Sequence, residues 1–193
     1  MAHQEQDIFL CLGSNQGDRA GQLLRACELI GQEVGPITCR SSIYETEPWG
    51  MESVDPFLNQ VIQVSSILLP VELLGVLQGI EKEMGRCRMP DTGCRIPDAG
   101  CRIPDAGCTS QISRPTSYVS RSIDIDILFY GDEIVETPEL TIPHPLIEER
   151  RFVLVPLAEI APELVHQVLG KDMKQLLEHC VDSGKVSVWE VKT

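Results

Sequence analysis

Residues 121–130 constrain the fold of this chain more than any other segment. They read Arg-Ser-Ile-Asp-Ile-Asp-Ile-Leu-Phe-Tyr, and the first part alternates strictly between apolar and polar residues. This alternation has the period of a β-strand, in which successive side chains point to opposite faces of a sheet. We therefore expect Ile123, Ile125 and Ile127 to face a core, with Asp124 and Asp126 together on the other face.

The other periodic segments predict the strands and helices that surround this strand. Residues 7–12 form an apolar run, and residues 37–46 and 57–68 have the pattern of two further strands. Helical spacing of apolar residues follows Asp18, which can cap a helix, and again follows Pro70, with Gly85 at its end. The order strand, helix, strand, strand, helix, strand is that of a ferredoxin-like βαββαβ core. We predict an α+β fold, an antiparallel sheet with helices packed on it plus C-terminal additions.

An internal repeat separates the second helix from the strand at 121–130. Cys-Arg-Met-Pro-Asp-Thr-Gly is followed by two copies of Cys-Arg-Ile-Pro-Asp-Ala-Gly, so that residues 87–109 form an insertion in a single domain of residues 1–193. Proline and glycine in each unit exclude a coiled coil and favour turns. Four thiols seven residues apart, with no Cys-x-x-Cys pair, match a zinc site poorly.

Composition excludes several classes of partner. Sixteen Lys and Arg against 29 Asp and Glu give a net charge of −13, which argues against binding to nucleic acid or to an anionic membrane. The first residues lack the pattern of a signal peptide, and no apolar run approaches the roughly 20 residues of a membrane span. We expect a cytoplasmic protein with reduced cysteines, and nothing in the sequence requires more than a monomer.

Asp124 and Asp126 are the sharpest chemical feature of the sequence. Two adjacent carboxylates on a strand repel each other, and aspartate is a poor strand former. They either belong to a solvated outer face or hold a hard cation, because Mg²⁺ is usually bound by one or two carboxylates and substrate phosphates. Arg86, Arg88 and Arg121 are expected at the same end of the sheet, where they could reach a phosphate.

A second group of residues could bind a flat heterocycle or a nucleotide. His144 stands between two prolines, which hold it extended, although such a histidine is more often structural. Asn59 can pair with the edge of a ring, and Phe57 and Trp49 can stack on its face, although each alone is more often a packing residue. The sequence lacks the Gly-x-x-x-x-Gly-Lys-Ser/Thr motif of P-loop enzymes.

Taken together, these motifs resemble those of the 6-hydroxymethyl-7,8-dihydropterin pyrophosphokinases. The resemblance covers about residues 7–165 apart from the repeat. Its motifs are Leu12-Gly13-Ser14-Asn15, Tyr44-Glu45-Thr46-Glu47-Pro48-Trp49-Gly50, Phe57-Leu58-Asn59, Glu81-Lys82-Glu83-Met84-Gly85-Arg86, Arg121-Ser122-Ile123-Asp124-Ile125-Asp126-Ile127-Leu128 and Leu140-Thr141-Ile142-Pro143-His144-Pro145. The strand motif and the histidine between prolines, in this order and spacing, are the most specific of them.

The resemblance implies an activity and a role for each matching residue. The family transfers pyrophosphate from ATP to 6-hydroxymethyl-7,8-dihydropterin and releases AMP, so the resemblance implies that this chain is an enzyme of folate biosynthesis. Asp124 and Asp126 would bind two Mg²⁺ ions, and the catalytic residues would be Arg86, Arg88, Arg121, Asp124 and Asp126. The pterin would lie among Thr46, Trp49, Phe57, Asn59 and Phe152. ATP would be surrounded by Gln78, Glu81, Arg88, Arg121, Ile127, Thr141, His144 and Arg150.

The chain departs from the family in the segment that closes over ATP in relatives. Tyr118-Val119-Ser120-Arg121 stands where Trp-Gly-Pro-Arg is expected, and the repeat separates Arg88 from Arg121. Because Arg95 and Arg102 occupy positions equivalent to Arg88, the sequence leaves open which arginine contacts ATP. Two alternatives follow: a regulatory protein that binds both ligands without turnover, and a ferredoxin-like nucleic-acid-binding domain, which the net charge and the few aromatic residues disfavour.

Overall fold

The computed structural model describes residues 4–48, 55–85 and 122–190. All of them belong to one compact unit that comprises Met1–Arg86 and Ser120–Thr193. Their helices and strands, in chain order, are β1 (Gln6–Ser14), α1 (Arg19–Glu33), β2 (Ile37–Arg40), β3 (Tyr44–Thr46), β4 (Phe57–Ser66), α2 (Pro70–Glu83), β5 (Asp124–Tyr130), β6 (Val135–Glu136), β7 (Thr141–Ile142), α3 (Arg151–Ile160), α4 (Met173–His179) and β8 (Val186–Val188).

The main sheet has the strand order β5-β1-β4-β3-β8, with β2 paired to β4 beside β3. Each pairing is antiparallel, and β1 and β4 match residue for residue from Gln6 opposite Ser66 to Ser14 opposite Leu58. Because β4 lies between β1 and the strands that follow α1, the topology is the split βαβ arrangement. This confirms the predicted ferredoxin-like α+β fold.

The first face of the sheet is covered by α1 and α2. Both helices begin as predicted: the Asp18 carboxylate accepts a hydrogen bond from the Gly21 N–H at 3.0 Å, and Pro70 opens α2. Gly85, with φ of 86°, follows the end of α2 in a conformation that favours glycine. The core on this face includes the following buried side chains: Ile8, Leu10, Leu12, Leu23, Ile30, Ile62, Leu73, Leu77, Ile123, Ile125 and Ile127.

The second face is covered by α3 and α4, the additions that follow the βαββαβ core. Its core contains Phe9, Cys11, Val61 and Phe129 from the sheet, packed on Val153, Leu154, Leu157, Met173 and Leu176 from the two helices. The predicted C-terminal additions also include β8, which follows α4 and pairs with β3. In the part of the chain that the structure describes, no helix is long and apolar enough to cross a membrane.

The strand predicted over residues 37–46 is divided into β2 and β3 at Ser41. There the N–H of Val61 donates to the hydroxyl Oγ of Ser41 at 3.0 Å, so a side-chain oxygen replaces a backbone carbonyl opposite β4. The amide of Gln60 donates to the Ser41 carbonyl at 2.8 Å. The break lets β3 continue along β4 up to Thr46, next to the site described below.

Candidate active site

Two carboxylates stand at the start of β5 on the second face of the sheet. Asp124 and Asp126 are half-buried, and they lie opposite Gly13 and Cys11 of β1, while Ile125 faces the core of the first face. Burial raises the pKa of the Cys11 thiol, and the negative charges of Asp126 and Asp124 raise it further. The thiol therefore stays protonated beneath the carboxylates, which concentrate negative charge on this part of the sheet.

The carboxylate strand is held from the opposite face by Glu81, near the end of α2. This side chain is 1% exposed, and its Oε1 accepts a hydrogen bond from the Ile125 N–H at 2.9 Å. Because β5 is the edge strand of the sheet, this N–H points away from β1 and needs an acceptor from another element. Glu81 thus fixes the backbone between the two aspartates.

A polar pair lies beside the carboxylates at the ends of β3 and β4. The buried amide Nδ2 of Asn59 donates to the hydroxyl Oγ1 of Thr46, which is also buried, at 2.7 Å. Gly13 makes room for this amide, because a Cβ at Gly13 would lie 2.8 Å from Asn59 Oδ1 and 3.9 Å from the Phe57 ring. The glycine therefore lets the amide and the aromatic ring approach the strand that pairs with Asp124.

A pocket opens next to this polar pair. It is lined by Thr46, Glu47, Pro48 and Phe152, together with four residues of the C-terminal segment, Asp182, Gly184, Lys185 and Val186. The guanidinium of Arg150 lies over the Phe152 ring, 5.8 Å from its centre. Phe152 and Arg150 are adjacent to the first residue of α3, so this helix start places an aromatic ring and a cation side by side.

His144 reaches the same region from the segment that follows β7. Its backbone N–H donates to the carbonyl of Leu128 in β5 at 3.0 Å. Burial lowers the pKa of its half-buried imidazole, the positive charge of Arg150 lowers it further, and the charge of Asp124 opposes both. The ring is therefore neutral near pH 7 and can accept a hydrogen bond as well as donate one.

The structure thus brings Asp124, Asp126, Thr46, Phe57, Asn59, His144, Arg150 and Phe152 to one face of the sheet. Gln78 and Glu81 lie instead on α2, across the sheet, with Gln78 exposed to solvent. Thr141 is exposed on β7, and the side chain of Ile127 belongs to the core, so Ile127 can offer a ligand only its backbone. Trp49, Arg86, Arg88 and Arg121 lie outside the described residues.

Sequence reasoning missed three contributors to the site. Cys11 was expected only to be a reduced cysteine, and Gly13 only to belong to the Leu12-Gly13-Ser14-Asn15 motif. Asp182, in the C-terminal segment, had no expected role, although Asp-Ser-Gly is a recognisable turn signal. Among residues 4–48, 55–85 and 122–190, no group of three or more His, Cys, Asp or Glu could hold a metal ion, so a metal here needs ligands beyond the two carboxylates.

The fold and the site together define a class of protein: an α+β enzyme with paired carboxylates beside a pocket of amide, hydroxyl and aromatic groups. The model of the 7,8-dihydro-6-hydroxymethylpterin-pyrophosphokinase family matches residues 9–100 and 107–162. The chain belongs to this family. This confirms the expected activity, the transfer of pyrophosphate from ATP to hydroxymethyldihydropterin in folate synthesis.

Individual relatives agree with the family assignment. A 2-amino-4-hydroxy-6-hydroxymethyldihydropteridine pyrophosphokinase of Aquifex aeolicus is 36% identical over 87% of this chain and 88% of its own length. The enzyme of the same name from Porphyromonas gingivalis is 39% identical over 81% of this chain and 92% of its own length. Among solved structures, an HPPK-DHPS of Plasmodium falciparum with pteroate superposes with a TM-score of 0.65 at 17% identity. The superposition covers 91% of this chain and 42% of that longer chain. At this identity it supports the fold alone.

Proposed function

We propose that pyrophosphate transfer takes place on the second face of the sheet, between the carboxylates of β5 and the pocket beside Thr46. The observation that carries the proposal is that Asp124 and Asp126 share this face with Asn59 and Phe152. Transfer requires the hydroxymethyl oxygen of the pterin to attack the β-phosphorus of ATP in line with the departing AMP. Adjacent sites for a flat ring and a charged phosphate chain meet that requirement.

The carboxylate pair fits a magnesium site. Asp124 and Asp126 offer hard oxygen ligands on one face of a fixed strand, and such pairs bind Mg²⁺ together with substrate phosphates. The two aspartates would hold two Mg²⁺ ions, which would neutralise the negative charge of the triphosphate. The same charge neutralisation would remove the repulsion between the carboxylates, which explains why two aspartates stand at neighbouring positions of one strand face.

The polar pair and the aromatic rings suit a pterin. Asn59 is held in one orientation by its hydrogen bond to Thr46, so its amide presents a fixed donor and acceptor pattern to the edge of a ring. Phe57 and Phe152 supply apolar surfaces for stacking, and Trp49 would add a third. We propose these five residues as the pterin site.

The nucleotide would lie on the side of Arg150 and His144. Arg150 offers a positive charge for a phosphate, and the neutral imidazole of His144 can bind a polar atom of the nucleotide. We propose Thr141 and the backbone of Ile127 as further nucleotide contacts. Gln78 and Glu81 lie on α2, across the sheet, and their contact with the nucleotide stays a prediction. Arg86, Arg88 and Arg121 would supply the catalytic cations.

The repeat at residues 87–109 remains a predicted insertion in a single domain, and we propose a cytoplasmic monomer.

Replacement of each aspartate tests the metal assignment. Asp124→Asn and Asp126→Asn should each abolish Mg²⁺- and pterin-dependent formation of AMP from ATP, while circular dichroism shows that each variant stays folded. Asp7→Asn, an exposed aspartate on β1 of the same sheet, is the matched control and should keep full activity.

Two results would contradict the proposal. Near-normal AMP formation by either variant would exclude the carboxylates as the metal ligands. In the unaltered chain, binding of both substrates without any product would favour the regulatory alternative instead.

A further inference from the structure

The C-terminal segment forms one wall of the pocket beside Thr46. Asp182, Gly184, Lys185 and Val186 line this pocket together with Thr46 and Phe152. Backbone pairing holds the wall in place: Val186 of β8 lies opposite Thr46 of β3, and the Glu47 N–H donates to the Lys185 carbonyl at 3.4 Å. A segment with no chemistry expected from its sequence is therefore part of the site.

Asp182 connects this wall to the start of α3. Its Oδ2 accepts a hydrogen bond from the Arg151 N–H at 3.0 Å, and its Oδ1 accepts one from the Gly184 N–H at 2.8 Å. Arg150, the residue that precedes α3, makes no side-chain cap for the helix. The first N–H groups of a helix lack partners within it and favour a negative charge, so Asp182 caps α3 from a position 31 residues further along the chain.

We propose that Asp182 is a positioning residue for the pterin substrate. Phe152, the second residue of α3, lines the pocket from the helix start that Asp182 holds, and the same side chain holds the turn at Gly184, which also lines the pocket. One side chain thus holds both the helix start that carries Phe152 and the turn at Gly184, and it fixes the place of Phe152 in the proposed pterin site. The inference rests on the proposed pterin site.

The test compares Asp182 with another helix-capping aspartate. Asp182→Ala should raise the KM for the pterin roughly five- to tenfold, as expected for loss of a helix cap, with the KM for ATP little changed. Asp182→Asn keeps one acceptor oxygen and should give an intermediate KM. Asp172→Ala is the matched control: Asp172 caps α4 through the Gln175 N–H at 2.8 Å and is not among the residues that line the pocket. It should lower the melting temperature similarly but leave both KM values unchanged.

The results separate this inference from the proposed function. Equal effects of Asp182→Ala and Asp172→Ala on the KM for the pterin would overturn the positioning role, as would a uniform rise in both KM values. If Asp182→Ala does not fold, the KM for the pterin of Asp182→Asn decides in the same way. Absence of pterin-dependent AMP from the unaltered chain would instead contradict the proposed function.

Discussion

At the scale of single residues, the site depends on close approach around Asn59. Its amide is 4% exposed and is held by Thr46, so it has little freedom to move. Gly13, on the neighbouring strand, leaves the space into which Asn59 Oδ1 projects. The absence of a side chain at Gly13 is therefore what allows the Asn59 amide to occupy its position.

Gly13→Ala should impair the pterin site without unfolding the protein. A Cβ placed 2.8 Å from Asn59 Oδ1 forces the amide to shift and weakens its hydrogen bond to Thr46. Misplacement of this order should lower kcat/KM for the pterin roughly tenfold to a hundredfold, measured by AMP formation. Gly31→Ala is the control, because Gly31 lies in α1 with open space around it, and alanine there should stabilise the helix by about 0.5–1 kcal/mol. Unchanged activity of Gly13→Ala would show that the amide has room to move.

Individual site residues were predictable where chemistry and motif coincide. Asp124 and Asp126 are conspicuous because carboxylates interrupt an apolar strand, and Asn59 falls in a motif typical of the family. Cys11 has the same apolar context as any core cysteine, and its place beneath the carboxylates follows only from the register of β1 with β5. Asp182 acts through a contact 31 residues away, which no local pattern reveals.

At the scale of elements, the principal link is the one between α2 and β5. Glu81 lies on the helix before the repeat and Ile125 on the strand after it, and their hydrogen bond joins the two sides of the insertion. The acceptor is a buried side-chain oxygen, and a buried N–H that loses its partner is costly in free energy. The position of the aspartates therefore depends on a helix on the other face of the sheet.

Glu81→Ala should loosen the start of β5. The Ile125 N–H would lose its acceptor in a buried place, which should lower the free energy of unfolding by about 1–3 kcal/mol in denaturant titrations. AMP formation should fall as well. Glu81→Gln keeps an acceptor oxygen and should retain more of the stability. Glu83→Ala is the control, because Glu83 is exposed and forms an ion pair with Arg25 at 3.6 Å, worth less than about 1 kcal/mol. Equal effects of Glu81→Ala and Glu83→Ala on the free energy of unfolding would show that the hydrogen bond from Ile125 to Glu81 does not stabilise β5.

Helices and strands were predictable where one period of apolar residues continued over enough of the sequence. The apolar stripes of α1 and α2 and the alternation in β5 each identify their element. Helix α3 was not identified, because Pro156 lies inside it and its sequence is apolar over most of its length. Strands β6 and β7 have two residues each, too few to show a period. The break between β2 and β3 depends on the Ser41 hydroxyl, whose partner in β4 is distant in sequence.

At the scale of the whole molecule, acid stability should depend on a buried histidine behind the site. His166 is 5% exposed and packs edge-on against Phe129, 5.6 Å between ring centres, and burial lowers its pKa although the charge of Glu148 opposes the shift. The unfolded chain therefore takes up a proton at higher pH than the folded one. The stability contributed by neutral His166 is present above about pH 6.5 and is lost as the pH falls through the folded-state pKa.

His166→Gln should reduce the loss of stability between pH 7 and pH 5. One proton accounts for a slope of at most about 1.4 kcal/mol per pH unit, so the variant should unfold with a shallower pH dependence by up to that amount. Urea titrations at several pH values measure this slope. His179→Gln, at an exposed position on α4, is the control. An unaltered slope in His166→Gln would mean that other groups govern acid unfolding.

The alternation that begins at Ile123 assigns different tasks to the two sides of the sheet. On the first face of the sheet, α1 and α2 bury aliphatic side chains such as Leu23, Ile30 and Leu73. Apart from Gln78 and Glu81 on α2, the groups proposed to handle substrates lie on the second face. Heat tolerance and turnover can therefore be altered separately in this protein. Substitutions that repack the aliphatic core of the first face should change the melting temperature of the protein and leave its substrate preference intact. Adaptation to a different growth temperature can therefore take place away from the active site.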